Sequence, residues 1–222
     1  MKFRTGSLIV VSLVLMLSAA VRMNSTAAAG SQWDHHFELR SSTFENGAAL
    51  PLNMIYTYYL PTAPTTNICT YNGEAGGDES PELSWTDPPR HTHSFVVVTY
   101  DVTASFTHWG MYNISGEQTG LPAGAGVAGS TYGKQIANDF GDLSYDGPCP
   151  PTSETPLVHH YVFTLYALDT MLPTLPTQGD FPPGAEALYH ALIRAARDGH
   201  ILDSASISGD YSAAAPPGPG SN

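Results

Sequence analysis

The spacing of apolar and polar positions predicts a chain built mainly from β-strands. Residues 93–101 contain a run of aromatic and β-branched side chains, which indicates a buried strand. Residues 107–115 form the next predicted strand. Residues 159–169 give the clearest strand, because apolar side chains recur at every second position from Tyr161 and Phe163 onward.

Two further stretches predict a turn and a long loop. Residues 37–57 alternate apolar and polar side chains around Asn46-Gly47, a pair typical of tight β-turns, and this predicts a β-hairpin. Residues 116–156 are rich in Gly, Pro, Ser and Asp and show no period. A connection of that length inside a compact domain usually carries function.

One segment has the period of a helix. Residues 184–199 place Leu188 and Leu192 on one helical face, and Gly199 ends the pattern. Residues 200–211 then predict a short returning strand. The chain is therefore expected to fold as one mostly β domain over residues 37–212 with a C-terminal helix, followed by a disordered tail over 213–222.

The N-terminus has the pattern of a secretory signal peptide. Basic residues precede an apolar run over residues 8–17, and small residues follow as far as Ala29, which predicts cleavage after residues 1–29. An uncleaved anchor is the alternative, although the run is short for a spanning helix. No second apolar run of sufficient length follows. We therefore expect no transmembrane segment in the mature chain, and a secreted or periplasmic location.

Charge narrows the range of partners. The formal net charge of the whole chain is −12, and it becomes −15 when Lys2, Arg4 and Arg22 leave with the predicted signal peptide. A surface this acidic repels phosphate backbones and anionic membranes. We therefore expect no nucleic-acid partner, while a local pocket can still be positive.

The two cysteines leave three possibilities open. In an exported chain, Cys69 and Cys149 suggest a disulfide, since the compartment is oxidising. Two free thiols are the second possibility. A Cys-His enzyme is the third, because Cys149 is followed by histidines at the start of the next predicted strand.

Four of the nine histidines are expected to be solvated. His35-His36 lies near the mature N-terminus, where weak metal binding is possible. His91 and His93 fall in a polar turn. His159 and His160 are neighbours on a strand, so they point to opposite faces and cannot enter one pocket together.

His108 has a different setting. It begins one predicted strand shortly after another ends at Asp101, so the two side chains can lie close together. A carboxylate beside an imidazole orients it and favours its charged form. With His159 or His160 nearby, these residues suggest a small anion-binding cleft. The alternative is a buried histidine satisfied by backbone hydrogen bonds.

Several short motifs occur in an order that resembles the phosphatidylethanolamine-binding protein family, and in particular its bacterial Raf kinase inhibitor-like branch. The resemblance covers about residues 37–212. The motifs are SPELSW at 80–85, YD at 100–101, FTHWGMYNI at 106–114, NDFG at 138–141, YDGPCPP at 145–151 and HHYVFTLYALD at 159–169. Each is weak alone, and their order is specific.

The resemblance implies a large antiparallel β-sheet packed on a smaller one, with a helical C-terminal part and a pocket for phosphate-like headgroups. By position, Asp101 matches the first aspartate of the family's D-P-D-A-P loop, and His108 matches its pocket histidine. The remaining pocket residues implied by the match are Gly147, Pro148 and Pro150 in the G-x-x-P-P rim, with His159 and Tyr161 in the H-R-Y motif.

This chain also departs from the family pattern. The loop after Asp101 is shorter, Thr103 replaces the second aspartate and Ser105 replaces the last proline. His160 stands where the family has arginine. The departures predict a wider pocket, a different ligand or the loss of the ligand. The resemblance also supports the Cys69–Cys149 disulfide, because paired cysteines are frequent in this branch.

We therefore expect a secreted, non-enzymatic protein that binds a small anion or phospholipid headgroup. The alternative is an inhibitor of a serine protease or kinase that acts through protein contact. A hydrolase with His108 or His159 as general base is a third hypothesis, but no nucleophile accompanies these histidines. We expect no cofactor and no metal. Asn113 begins an N-x-S sequon within a predicted strand.

Overall fold

The computed structural model describes residues 36–179 and 181–215. The predicted signal peptide therefore lies outside the described residues. The strands are β1 (Glu38–Arg40), β2 (Ala48–Ala49), β3 (Tyr59–Leu60), β4 (Ala63–Asn67), β5 (Leu83–Thr86), β6 (Ser94–Asp101), β7 (Phe106–Ser115), β8 (Gly120–Leu121), β9 (Lys134–Gln135), β10 (His159–Leu168) and β11 (Ile201–Tyr211); the helix α1 spans Ala185–Arg197, and a 3-10 turn spans Leu52–Met54.

Six strands form the large sheet, in the order β2-β11-β10-β6-β7-β9. The pairing is antiparallel, apart from the short parallel contact of β11 with β2. The predicted strands at 93–101, 107–115 and 159–169 are three of the four inner strands of this sheet. β6 is buried on both faces, as its apolar run predicted, and the buried positions of β10 alternate, as predicted from Tyr161 onward.

The large sheet lies between a smaller sheet and the helix. The small sheet has the order β1-β5-β8, and its Leu39 and Trp85 share one hydrophobic core with Phe95 and Phe163 of the large sheet. On the opposite face, Leu188 and its helical neighbours pack against β6 and β10. This confirms the mostly β fold of a large sheet on a smaller one with a C-terminal helix.

The predicted hairpin at Asn46-Gly47 is wrong. Gly47 does turn the chain, with a positive φ of 80°. However, β1 pairs with β5 in the small sheet, whereas β2 pairs with β11 in the large one. The turn therefore passes the chain from one sheet to the other, because each strand finds a better partner far away in sequence.

The strand after the helix is longer than predicted. β11 has eleven residues and pairs with β10 along its length. In the predicted tail, Ala213 is buried in the core, and residues 216–222 lie outside the described part of the chain. The predicted loop over 116–156 contains only two short strands. Among the described residues, none forms a helix with the length and apolar character needed to span a membrane.

Candidate functional site

The antiparallel register brings the ends of three neighbouring strands together at one end of the large sheet. β6 ends where β7 and β10 begin, and Asp101 is opposite both Phe106 and Tyr161. A cleft of about 230 Å³ opens there. Five of the seven predicted ligand residues line it: Asp101, His108, Pro150, His159 and Tyr161.

The cleft is smaller than another opening on the surface. A groove of about 430 Å³ lies between β1 and β11. The described residues that line this groove include no histidine, and its charged pair of Arg40 and Glu38 is exposed. The small cleft combines buried polar groups with a concave shape, so it is the stronger candidate site.

A buried hydrogen bond between a histidine and an aspartate forms one side of the cleft. The Nδ1 atom of His159 lies 2.6 Å from Oδ2 of Asp101, and both side chains are buried. A carboxylate only accepts, so Nδ1 carries the hydrogen and Nε2 is the nitrogen left for a ligand. The other carboxylate oxygen of Asp101 accepts from the backbone N–H groups of Thr103 and Ala104, which fixes the following turn.

His108 is held by the backbone rather than by Asp101. Its Nδ1 atom lies 2.8 Å from the carbonyl oxygen of Asp146, which must accept the hydrogen. Burial lowers the pKa of this imidazole, and the Asp146 carbonyl and the Asp101 carboxylate oppose the change only in part. Asp101 therefore does not orient His108, because it pairs with His159. Its charge does favour the imidazolium form of His108, as expected, but burial outweighs that effect on the pKa.

Tyr161 lies on the floor of the cleft. Its ring contacts His108 edge-on at 5.2 Å and stacks with His159 at 6.5 Å between centroids. The buried hydroxyl makes no hydrogen bond of ordinary geometry with the described residues, although the Asp101 carboxylate lies close to it. Burial, followed by the nearby Asp101 carboxylate, raises the pKa of this phenol, so the hydroxyl stays protonated and can donate.

The walls are largely apolar and were not predicted. Phe106 and Phe140 pack together at 4.6 Å between ring centroids. Phe140 is 45% exposed and stacks on Tyr56 at the mouth of the cleft. The other lining residues that sequence reasoning missed are Ala104, Cys149 and Pro151. No lysine or arginine is among the described residues that line the cleft.

Two predicted residues, Gly147 and Pro148, lie behind the cleft rather than in its lining. The Gly147 N–H donates to Oδ1 of Asp78 at 2.7 Å, and a Cβ on Gly147 would lie 1.9 Å from the Met54 carbonyl oxygen. Only glycine fits there. The Pro148 carbonyl accepts from the N–H of Tyr56.

Asn138 organises the loop behind His108, a role that the sequence showed only through the NDFG match. Its carbonyl oxygen accepts from three successive backbone N–H groups, those of residues 140–142. Its amide group donates to Oδ2 of Asp146 and to the carbonyl oxygens of Ser144 and His108. Six hydrogen bonds to one side chain hold this loop against the strand.

The predicted disulfide is present between Cys69 and Cys149. It ties the cleft wall at Cys149 to the loop after β4, and Tyr211 donates to the Cys69 carbonyl. The bonded sulfur of Cys149 is not a free thiol, so the Cys-His enzyme is excluded.

The remaining histidines lie away from the cleft. His160 points out of the sheet and pairs with Asp210 at 2.6 Å, which confirms that it cannot share a pocket with His159. His91 and His93 are exposed in a turn, as predicted. His36 is exposed, while His35 lies outside the described residues.

The sequon residue Asn113 is tied into the fold. Its amide group donates to the Leu172 carbonyl, and its carbonyl oxygen accepts from the Leu172 N–H. A glycan on that nitrogen would break this pair of hydrogen bonds. In the described part of the chain, no group of three or more His, Cys, Asp or Glu side chains could hold a metal ion.

Comparison with known proteins finds chains that are similar in sequence. The sequence model described as phosphatidylethanolamine-binding protein matches residues 40–212. A UPF0098 protein from Methanothermobacter thermautotrophicus is 37% identical over 141 residues, which are 61% of this chain and 84% of that one. UPF0098 protein YbhB of Escherichia coli is 39% identical over 113 residues, 48% of this chain and 70% of that one.

A solved structure shows the same fold. The crystal structure of E. coli YbcL, described as a new member of the mammalian PEBP family, aligns with a TM-score of 0.60 at 28% identity. The alignment covers 79% of this chain and 98% of YbcL.

Proposed function

This chain belongs to the phosphatidylethanolamine-binding protein family, and from that membership we propose that it is a non-enzymatic binding protein. Its ligand is a small phosphate-like anion, free or as a phospholipid headgroup, held in the cleft of Asp101, His108, His159 and Tyr161. The predicted signal peptide extends the proposal to a protein that acts outside the cytoplasm.

The observation that carries the proposal is the buried Tyr161 hydroxyl without a partner. An unsatisfied buried hydroxyl costs about 1–3 kcal/mol, which a ligand oxygen can offset by accepting from it. The Nδ1 atoms of His108 and His159 are both occupied, so their Nε2 atoms are left for the same ligand. Three hydrogen-bonding groups around a small cleft suit a compact oxyanion.

Charge balance predicts that binding takes up a proton. Burial lowers the pKa of His108, so near pH 7 its Nε2 is an acceptor and repels an anionic oxygen. An anion therefore binds either with its own proton or with protonation of His108. Affinity for phosphate is expected to rise as the pH falls from 8 to 6.5. Calorimetry in two buffers of different ionisation enthalpy measures the proton uptake.

The decisive experiment compares two adjacent histidines. His159→Gln removes a ligand group from the cleft, and His160→Gln makes the same change on the opposite face, where the imidazole also bonds to an aspartate. Phosphate and phosphoethanolamine should each raise the melting temperature of wild-type protein and of His160→Gln. At a hundredfold excess over Kd, the stabilisation is about 2.7 kcal/mol, or roughly 5–11 °C.

His159→Gln should lose that stabilisation. Equal responses from the two variants would place the anion elsewhere, and no response in wild-type protein would sink the proposal. Release of more than one product per protein molecule from phosphate esters would favour the hydrolase instead. Intact mass after expression of the full-length gene tests cleavage after Ala29. Inhibition of a protease or kinase stays a prediction.

A further inference from the structure

One peptide group connects the cleft to a carboxylate behind it. The carbonyl oxygen of Asp146 accepts from Nδ1 of His108 at 2.8 Å. The N–H of the same peptide, on Gly147, donates to Oδ1 of Asp78 at 2.7 Å. A continuous line of two hydrogen bonds therefore runs from the imidazole through the Asp146–Gly147 peptide to the carboxylate.

Backbone hydrogen bonds hold Asp78 in this position. Its φ is +50°, in the left-handed region that non-glycine residues rarely adopt. Its N–H donates to the Ile55 carbonyl at 3.0 Å, and the neighbouring Gly77 N–H donates to that of Leu52. The chain thus accepts an unfavourable backbone conformation where this carboxylate meets Gly147.

We propose that Asp78 is a positioning residue for the cleft: it holds and polarises the Asp146–Gly147 peptide, whose carbonyl sets the tautomer of His108, and it thereby favours protonation of Nε2. A carboxylate on a peptide N–H polarises the peptide, so the carbonyl becomes a stronger acceptor for Nδ1–H. A stronger acceptor stabilises the imidazolium. The consequence for anion affinity rests on the proposed function, whereas the effect on His108 itself does not.

The effect of the Asp78 carboxylate on His108 depends on pH, because the surroundings of Asp78 shift its pKa. Burial raises the pKa of Asp78 to about 6, and the carboxylates of Asp146 and Asp142 add to the rise. The phenols of Tyr145 and Tyr56 also face it. Below about pH 6 Asp78 is protonated, so it polarises the Asp146–Gly147 peptide less.

Around His108, the facing charged groups are the carboxylates of Asp101 and Asp139, with the Tyr161 phenol in ring contact. Neither carboxylate bonds to the imidazole. Oδ2 of Asp101 is bound to His159, and Oδ2 of Asp139 accepts from the Thr107 N–H. The Asp146 carbonyl is the largest favourable contribution to the charged imidazole of His108, ahead of the Gly147 backbone, and it belongs to the peptide that Asp78 reaches.

Three variants separate the effect of the hydrogen bond made by the Asp78 side chain from the effect of its charge. Asp78→Asn keeps an oxygen that can accept from Gly147 but removes the charge. Asp78→Ala removes both. Glu79→Gln is the matched control, because it removes a negative charge from the next residue, whose carboxylate bonds to Asn53 instead.

The readout is the imidazole NMR titration of His108 in the full chain without ligand. Asp78→Asn should keep hydrogen on Nδ1 and lose roughly threefold in proton affinity, as expected when a charge-assisted hydrogen bond loses a 10–30% strengthening. Asp78→Ala should lose more proton affinity at His108 than Asp78→Asn, because the peptide that carries the accepting carbonyl is no longer held by any side chain at position 78. Glu79→Gln should match wild-type protein. Where Asp78→Ala does not fold, Asp78→Asn and the wild-type titration, in which Asp78 and His108 should titrate together, decide the matter.

Equal shifts in Asp78→Asn and Glu79→Gln, or no shift in Asp78→Asn, would overturn the proposal. Phosphate binding is measured on the same samples by calorimetry. If wild-type protein binds no phosphate but Asp78→Asn shifts His108, the proposed function fails and the positioning role stands. If wild-type protein binds phosphate and His108 is unaffected in Asp78→Asn, the positioning role fails and the proposed function stands.

Discussion

Replacing both Cys69 and Cys149 by alanine should strongly destabilise the fold and loosen one wall of the cleft. Alanine is the better replacement, because Cys69 is fully buried and a serine hydroxyl there would need a partner. The disulfide closes a loop with a sequence separation of 80 residues. In the chain-entropy model, a closed loop of that length stabilises the folded state by about 4.5 kcal/mol.

For a domain of this size, that loss corresponds to a fall in melting temperature of roughly 9–18 °C. The effect on the cleft is separate. Cys149 lines the cleft beside Pro150 and Pro151, and the bond fixes that segment to the loop after β4. We therefore expect weaker phosphate stabilisation in the variant, even at temperatures where it is fully folded.

The assay is urea unfolding of wild-type protein and of the double variant, each with and without a phosphine reductant. Reductant should bring wild-type protein to the midpoint of the variant and leave the variant unchanged. A loss of less than about 1 kcal/mol would refute the argument from loop closure. A midpoint of the variant that itself moves with reductant would mean that the reagent acts on something other than this bond.

Three further changes test the network around the cleft. Tyr161→Phe should raise the free energy of unfolding by up to about 1–3 kcal/mol, since it removes a buried hydroxyl without a partner, yet should weaken phosphate stabilisation; a loss of stability without ligand would contradict this. Asn138→Ala should cost about 3 kcal/mol or more in urea unfolding, because buried N–H and carbonyl groups lose their partners; a cost below 1 kcal/mol would mean that water replaces them. Burial raises the pKa of Asp78 from 3.8 to about 6, so its favourable contribution is present at low pH and is lost as the pH rises to about 6. Asp78→Asn should therefore be more stable than wild-type protein at pH 7.5, by about 1–2 kcal/mol after allowance for partial exposure, and the gap should close near pH 4; a gap independent of pH would count against the shift.

Strands were predictable from the sequence where their pattern of apolar residues reflects their burial in the sheet. β6, β7 and β10 are three of the four inner strands of the large sheet, and their apolar runs identified them. β11 was underestimated because polar side chains such as Ser204 and Ser206 are exposed and interrupt its apolar positions. β1 and β2 could not be paired from the sequence, since their partners lie about 46 and 161 residues away, at Trp85 and Gly209.

The site was predictable at the level of residue types. Strand-end histidines and a Gly-Pro loop pointed to one cleft, and five of the seven predicted residues meet there. The pairing within it was not predictable. Whether Asp101 binds His108 or His159 depends on the register between β6 and β10, and that register has no local signature. The Asp78 contact depends on a backbone N–H, which no side-chain pattern reveals.

The altered loop after Asp101 illustrates how this chain keeps a cleft despite its departures from the family pattern. One carboxylate serves two purposes: Oδ1 of Asp101 holds the turn through the N–H groups of Thr103 and Ala104, and Oδ2 holds His159. Thr103, which replaces the second aspartate of the family motif, accepts from the His160 N–H at 3.0 Å and so fastens the turn to β10. The replacement of an aspartate by a threonine leaves one negative charge fewer near the proposed anion site, while a hydrogen bond keeps the loop in place. The shorter loop is therefore compatible with the proposed anion site.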